Sequence, residues 1–289
     1  MSEAQSIQWF PGHMTKTKRQ IEVSLKLVDI VAEIIDARIP VSSRNPVLDK
    51  LINNKARVIL MNKCDMADST QTNRWIEYYK SKGIAAIAID CRTGKNLNDF
   101  MPLIKTVLSS RIASWDAKGM TGRPIRVMVV GVPNVGKSSL INKLCKNGKA
   151  NVEDRPGVTR TNQWFTIGQG FELLDTPGVL WPKFEDAVVG EHLAFTGAVK
   201  DDVIDTEQLA GRLLEVLRDT YPRAMQERYK IGKTDISEMK GYEILELVGK
   251  NRGMLISGGE INTERAAIAV LDEFRSAKLG RITLEQVGK

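Results

Sequence analysis

Gly131-Val132-Pro133-Asn134-Val135-Gly136-Lys137-Ser138 decides the fold. The β-branched run Arg126–Val130 precedes it, and a helical pattern over Ser138–Lys146 follows. G-x-x-x-x-G-K-S between a strand and a helix marks a loop whose backbone N–H groups cradle phosphates at the positive end of the helix. Toward the N-terminus, Asn62-Lys63-Cys64-Asp65 closes the apolar run Arg57–Met61. Toward the C-terminus come Pro156-Gly157-Val158-Thr159 and then, after Phe171–Leu174, Asp175-Thr176-Pro177-Gly178. A standard domain of this class carries its Asn-Lys-x-Asp box last, whereas here it comes first. The order predicts a circularly permuted α/β P-loop domain, with a linker joining what are otherwise the two chain ends.

Each motif carries a chemical expectation. The Asp65 carboxylate can accept from guanine N1–H and the exocyclic amine together. Adenine has no such donor pair and would leave the carboxylate unpaired, a costly mismatch in a buried site. With the phosphate loop, this predicts GTP and GDP as ligands. The Lys63 stem can cover the base, and Asn62 can tie this loop to the phosphate loop. Cys91 and Arg92, in Asp90-Cys91-Arg92-Thr93 after the next strand, sit where backbone groups would meet guanine O6. Val135, Gly136, Lys137, Ser138 and Ser139 form the phosphate cradle, with Lys137 as cation for the β- and γ-phosphates. Ser138 and Thr159 are the expected Mg²⁺ ligands, and Asp175 stands behind them. Gly178 offers its N–H to the γ-phosphate. The Thr159 hydroxyl reaches Mg²⁺ only while the γ-phosphate holds its loop closed.

Val179 follows Gly178, where many GTP-hydrolysing domains place a glutamine that orients the attacking water. Valine cannot hydrogen-bond water, so a polar catalyst must come from elsewhere. The chain has two histidines, His13 and His192. His13 lies in Trp9-Phe10-Pro11-Gly12-His13-Met14, read as a rigid aromatic segment. Catalysis, RNA contact and packing are all open roles for it. Asn134 can help bind a monovalent cation, K⁺, beside the phosphates.

Apolar runs alternate with helical patterns through the first part of the chain, the mark of an α/β parallel sheet. Strands are expected at Ile30–Ile35, Arg57–Met61, Ile84–Ile89, Arg126–Val130, Gln163–Ile167 and Phe171–Leu174. Helices are expected at Arg19–Lys26, Thr72–Lys82, Leu97–Ser114 and Ser138–Lys146, with Gly119–Pro124 as the linker. Beyond about residue 185 only helical spacing recurs: Leu209, Leu213, Leu217 and Tyr221, closed by Pro222; Met239–Val248; and Ala267, Val270, Leu271 and Phe274. The expected division is residues 1–185 for the nucleotide domain and 186–289 for a small all-α C-terminal domain.

The chain has 289 residues and a net charge of +7, unevenly placed. Residues 1–200 hold 28 Lys+Arg against 19 Asp+Glu, and residues 201–289 hold 14 against 16. A surplus around the nucleotide motifs favours a phosphate-rich partner, RNA or DNA. Ordinary solubilising charge is the alternative. Three unpaired cysteines argue against a disulfide framework and fit a reducing cytoplasm. No signal peptide and no membrane-spanning run is recognisable.

Trp9–Met14, Asp36-Ala37-Arg38-Ile39-Pro40, Asn62–Asp65, Gly131–Ser138, Pro156–Arg160 and Asp175–Gly178 stand in an order that resembles the YlqF-type circularly permuted GTPases. The likeness covers nearly the whole chain, including Arg252-Gly253-Met254 and Gly258-Gly259-Glu260. It implies a bacterial factor that matures the large ribosomal subunit, binds its rRNA, and hydrolyses GTP slowly until the particle stimulates it. It also implies a hydrophobic residue at the switch (Val179), a catalytic histidine (His13) and potassium stimulation through Asn134. The expected partners are the large-subunit precursor and its rRNA, met by a monomer in the cytoplasm with no membrane. The competing expectations are an RNA-binding module with negligible turnover, and a GTPase acting on tRNA or a protein.

Overall fold

The computed structural model describes residues 11–52, 55–146, 151–153, 163–168, 170–176, 186–199, 205–232 and 234–288, with side chains in the first helix from Arg19 onward. Two compact units emerge. The larger comprises Met1–Asp65, Ser69–Phe184 and Glu285–Lys289, and the smaller Met66–Asp68 and Glu185–Leu284.

The larger unit runs α1 (Pro11–Leu27), β1 (Ile30–Asp36), α2 (Pro46–Ile52), β2 (Ala56–Asn62), α3 (Ser69–Ser81) and β3 (Ala85–Ala88). It continues through a 3₁₀ turn (Leu97–Asp99), α4 (Phe100–Val107), α5 (Ser109–Ala117), β4 (Ile125–Val130), α6 (Lys137–Lys146), β5 (Asn151–Glu153), β6 (Gln163–Ile167) and β7 (Phe171–Asp175). The seven strands lie in the order β3-β2-β1-β4-β7-β6-β5. The strands from β3 to β7 pair in parallel, while β6 is antiparallel to both β7 and β5. All seven residues of β1 are buried, as a strand covered on both faces requires. On one face Ile21, Leu25 and Val28 of the α1 region and Leu48 and Ile52 of α2 pack with Val31, Met128, Val130, Trp164 and Leu174. α4 packs near β2 and β3.

The permutation linker is pinned at its root. Asp29 is 2% exposed and accepts from Arg126 N–H (3.0 Å) and Arg123 Nη2 (3.1 Å). Arg123 also lies 4.2 Å above the Trp115 ring, a cation–π contact. The Asp29 carboxylate thus joins the linker to the start of β4, and Arg123 carries the connection on to Trp115 at the end of α5.

The structure departs from the sequence expectations in identifiable ways. α1 begins at Pro11, well before Arg19, because proline suits the first helical position. Pro11-Gly12-His13 is therefore the first turn of a helix, not a separate rigid segment. The predicted helix Leu97–Ser114 breaks at Leu108, whose backbone (φ −97°, ψ 9°) leaves the helical region. Pro222 does more than close a helix: it opens the next one. The helices α2 and Pro222–Tyr229 are too short for a clear periodic pattern, and β5 has only three residues.

The smaller unit contains α7 (Ala187–Phe195), α8 (Thr206–Thr220), α9 (Pro222–Tyr229), α10 (Gly241–Asn251) and α11 (Thr263–Arg275). Leu209, Leu213, Leu214 and Leu217 of α8, Ile244, Leu245 and Val248 of α10, and Val270, Leu271 and Phe274 of α11 are all buried. A buried carboxylate, Glu273, accepts from Arg228 Nε (3.0 Å) and Arg252 Nη2 (3.0 Å), which accounts for the arginine of Arg252-Gly253-Met254. The only pairing outside helices in this unit, among the described residues, is the isolated bridge Leu255–Ile261. Among those residues no helix is long and apolar enough to cross a membrane.

Candidate functional site

The carboxyl ends of β1, β2, β4 and β7 share one edge of the sheet, where open α/β sheets bind ligands. The register brings Asp36 opposite Asn62 and Val129 opposite Asp175. The base box, the phosphate loop and Asp175-Thr176 therefore open onto one edge.

The two glycines of the phosphate loop answer different constraints. A Cβ at Gly131 would lie 2.6 Å from Ile34 O and 2.9 Å from Val135 Cγ2, so the loop leaves β4 pressed against β1. Gly136 has φ 102°, and a Cβ there would fall 2.2 Å from Asn62 Nδ2. The loop can fold only if this amide has room. Asn62 is 3% exposed; its Nδ2 donates to Val135 O (2.6 Å) and its Oδ1 accepts from Cys91 N–H (2.9 Å). One buried amide thus ties together the base box, the phosphate loop and the loop after β3. α6 starts at Lys137, so Ser138 and Ser139 lie exposed in its first turn, where helix N–H groups favour an anion.

The Lys137 ammonium pairs directly with the Asp175 carboxylate, joining the phosphate loop to the end of β7. Thr176 donates its hydroxyl to Val129 O (2.7 Å), fastening that strand end to β4. Asn134 is exposed and holds φ 61°. Among the described residues no three His, Cys, Asp or Glu side chains converge on a metal position. A divalent ion here would rely on the Ser138 hydroxyl together with substrate phosphates, the usual manner of Mg²⁺.

At the base end, Asp65 Oδ2 accepts from Arg92 Nη2 at 3.1 Å. Asp65 Oδ1 is buried and has no donor. A buried carboxylate oxygen without a partner costs free energy, and a guanine edge is the kind of group that would supply the missing donor. The residues present therefore fit a guanine nucleotide. Lys63 holds a left-handed backbone (φ 60°) and pairs with Asp36 at 3.0 Å.

The loop after β3 departs from expectation. Cys91 N–H is committed to Asn62, and Arg92 N–H donates to Asp90 Oδ1 (2.8 Å). Both backbone donors expected to face guanine O6 are engaged inside the protein, and Arg92 reaches the site by its side chain. Burial pushes the Cys91 thiol up to about 12 and raises Cys64 as well, so both stay protonated.

Thr159, Gly178 and Val179 lie outside the described residues, as does the side chain of His13. His192 is buried within the helical unit with its ring 6.1 Å from that of Phe195. Sequence reasoning quoted Asp36, Arg38 and Thr176 inside motif runs but gave them no role; their burial is a tertiary property.

Comparison with known proteins agrees with this geometry. A family described as "50S ribosome-binding GTPase" matches residues 126–245. Ribosome biogenesis GTPase A of Bacillus cereus is 46% identical over 96% of this chain and 93% of its own length. A GDP-bound YlqF structure superposes with a TM-score of 0.66 at 29% identity, covering 94% of this chain and all of that one. A GNP-bound YlqF from T. maritima gives 0.63 at 29% identity, covering 94% and 98%. The chain belongs to the YlqF family of circularly permuted GTPases, the ribosome biogenesis GTPase A group, and is an enzyme that binds guanine nucleotide and hydrolyses GTP.

Proposed function

We propose that this GTPase of ribosome biogenesis acts in late maturation of the bacterial large (50S) subunit, binding the precursor's rRNA in a GTP-dependent way. The particle in turn stimulates hydrolysis to GDP. The observation that carries the reading is the near full-length likeness to ribosome biogenesis GTPase A. The basic surplus of residues 1–200 supports an RNA partner.

Asp65 reads the guanine edge, Lys63 covers the base, and Asn62 holds their loop to Val135. Cys91 and Arg92 border the base, Arg92 through its guanidinium. The N–H groups of Val135, Gly136, Lys137, Ser138 and Ser139 hold the phosphates, with the Lys137 ammonium moving from Asp175 to the β- and γ-phosphates. Ser138 and Thr159 hold Mg²⁺, Asp175 stands behind it, and Gly178 meets the γ-phosphate. The metal supplies charge neutralisation at the transferring phosphoryl group. Asn134 helps hold K⁺ beside the phosphates. His13 orients the attacking water in place of a side chain that Val179 cannot provide.

Residues 1–185 are the GTPase domain, and residues 186–289 the helical domain that engages rRNA. The protein works as a cytoplasmic monomer. Co-sedimentation with a large-subunit precursor tests this. Attachment with a non-hydrolysable GTP analogue and release with GDP is the expected result. Attachment to tRNA alone, or none with either nucleotide, would overturn it.

A further inference from the structure

Two charged side chains with no part in the nucleotide scheme sit directly behind the base box. Asp36 and Arg38 are each 1% exposed. Asp36 ends β1 opposite Asn62, and the next residue continues the ladder, Ala37 N–H donating to Asn62 O at 2.8 Å. Asp36 Oδ1 accepts from Arg38 N–H (3.0 Å) and Arg38 Nε (2.9 Å). Oδ2 accepts from Arg38 Nη2 (2.8 Å) and lies 3.0 Å from Lys63 Nζ. The guanidinium fork grips the carboxylate and leaves one direction for the Lys63 ammonium. Burial alone would raise the Asp36 carboxyl, but the charges of Arg38 and Lys63 hold it well below the ordinary carboxylate range.

The support is itself held. Ser43 Oγ accepts from Asp36 N–H (3.0 Å) and donates to Ile39 O (2.6 Å). Tyr79 donates its hydroxyl to Pro40 O (2.8 Å), and the Glu285 carboxylate accepts from Ser42 N–H (3.0 Å). Lys63, by contrast, keeps a left-handed backbone that a long side chain rarely adopts without outside restraint. A buried ion pair is weak evidence for stability, and its better-attested use is to fix geometry.

We propose that Asp36, gripped by Arg38, is a positioning residue for guanine recognition. It anchors the Lys63 ammonium, so that the Lys63 stem lies across the base and Asp65, two residues on, faces the base edge. This rests on the reading of residues 62–65 as the base box. Released from Asp36, Lys63 relaxes toward right-handed backbone and swings Asp65 away.

The test is the release rate of a fluorescent GDP from the full chain. Lys63→Met keeps the stem and loses the ammonium, and release is expected to quicken about tenfold, the scale of one charge-assisted hydrogen bond. Lys63→Arg restores most of it. The paired change Asp36→Asn/Arg38→Met removes both buried charges together, so neither is stranded. It should quicken release about as much as Lys63→Met, and add less than about twofold when combined with it. Equal effects of the paired change with Lys63 present or replaced would mean a purely structural role and overturn the proposal. If the paired variant does not fold, Lys63→Met decides: wild-type release there overturns the proposal. Asp65→Asn, run alongside, separates the two readings. Gained affinity for xanthosine diphosphate keeps the base box even where the positioning role fails, and no gain removes both.

Discussion

Replacing Asn62 by alanine removes a side chain that ties three loops together, and its cost can be worked from the contacts. Val135 O loses the Nδ2 donor at 2.6 Å, and Cys91 N–H loses the Oδ1 acceptor at 2.9 Å. The site is buried, so neither group regains water freely. At about 1–3 kcal/mol for each stranded group, the loss is about 2–6 kcal/mol, a large share of the ~5–15 kcal/mol that holds a domain folded. With a urea slope of about 2 kcal/mol/M, the midpoint should fall by about 1–3 M. The five tryptophans (9, 75, 115, 164 and 181) all precede residue 185, so their fluorescence reports the nucleotide unit and not the helical one. GDP release should quicken in parallel, since the phosphate loop is no longer braced. Asn62→Asp keeps an acceptor for Cys91 but sets a carboxylate against the Val135 carbonyl; it should release GDP as fast as the alanine variant. An Asn62→Ala protein with the wild-type urea midpoint and wild-type GDP release would refute the brace.

Asp65→Asn should weaken GDP binding and admit xanthosine diphosphate, because the amide offers a donor to the xanthine C2 oxygen. Unchanged GDP affinity, measured by fluorescence titration, would count against the base box. His13→Ala should lower particle-stimulated hydrolysis by ~10²–10⁴-fold, the loss expected of a positioned polar catalyst, with nucleotide affinity unaltered. Single-turnover rates on saturating precursor particles check it, and an unchanged rate removes His13 from the chemistry. Asp29→Ala should cost about 1–3 kcal/mol by freeing the Arg126 N–H and the Arg123 guanidinium at the permutation linker, read as a lower urea midpoint by tryptophan fluorescence. The folded-state values of Asp36 and Glu273 are both lowered, so each adds stability above its unfolded value, near 3.8 and 4.5. For Glu273 burial opposes this, but its hydrogen bonds from Arg228 and the charge of Arg252 prevail. Their contributions should be lost as pH falls below those values, steepening acid unfolding there. Glu273→Gln should flatten that slope for the helical unit, followed by circular dichroism.

The chain alone carried the fold class because its motifs are local. Gly131–Ser138 between a strand and a helix, and Asn62–Asp65 at the end of an apolar run, require no distant partner to be recognised, and their order announces the permutation. Helices with long apolar stripes, such as α8 and α11, were equally plain, since 3.6-residue periodicity survives in one dimension. Short elements were not: α2 and α9 span two turns or so, and β5 exists by pairing with β6. The bending of Leu97–Ala117 at Leu108 likewise leaves no periodic trace.

What the tertiary structure decided is how the motifs hold one another. Gly136 reads in sequence as a phosphate-loop glycine, yet its lack of a side chain also makes room for the Asn62 amide. Cys91 and Arg92 were expected to turn backbone donors to guanine, but folding spends those donors on Asn62 and Asp90 and leaves the Arg92 side chain at Asp65. Asp36 and Arg38 stand in a quoted motif run without an assigned role, and they form a buried ion pair because β1 ends beside β2. Motif chemistry is written in neighbouring residues and can be read from the chain. Hydrogen-bond partnership between loops depends on which strand ends meet, and only the folded sheet determines that.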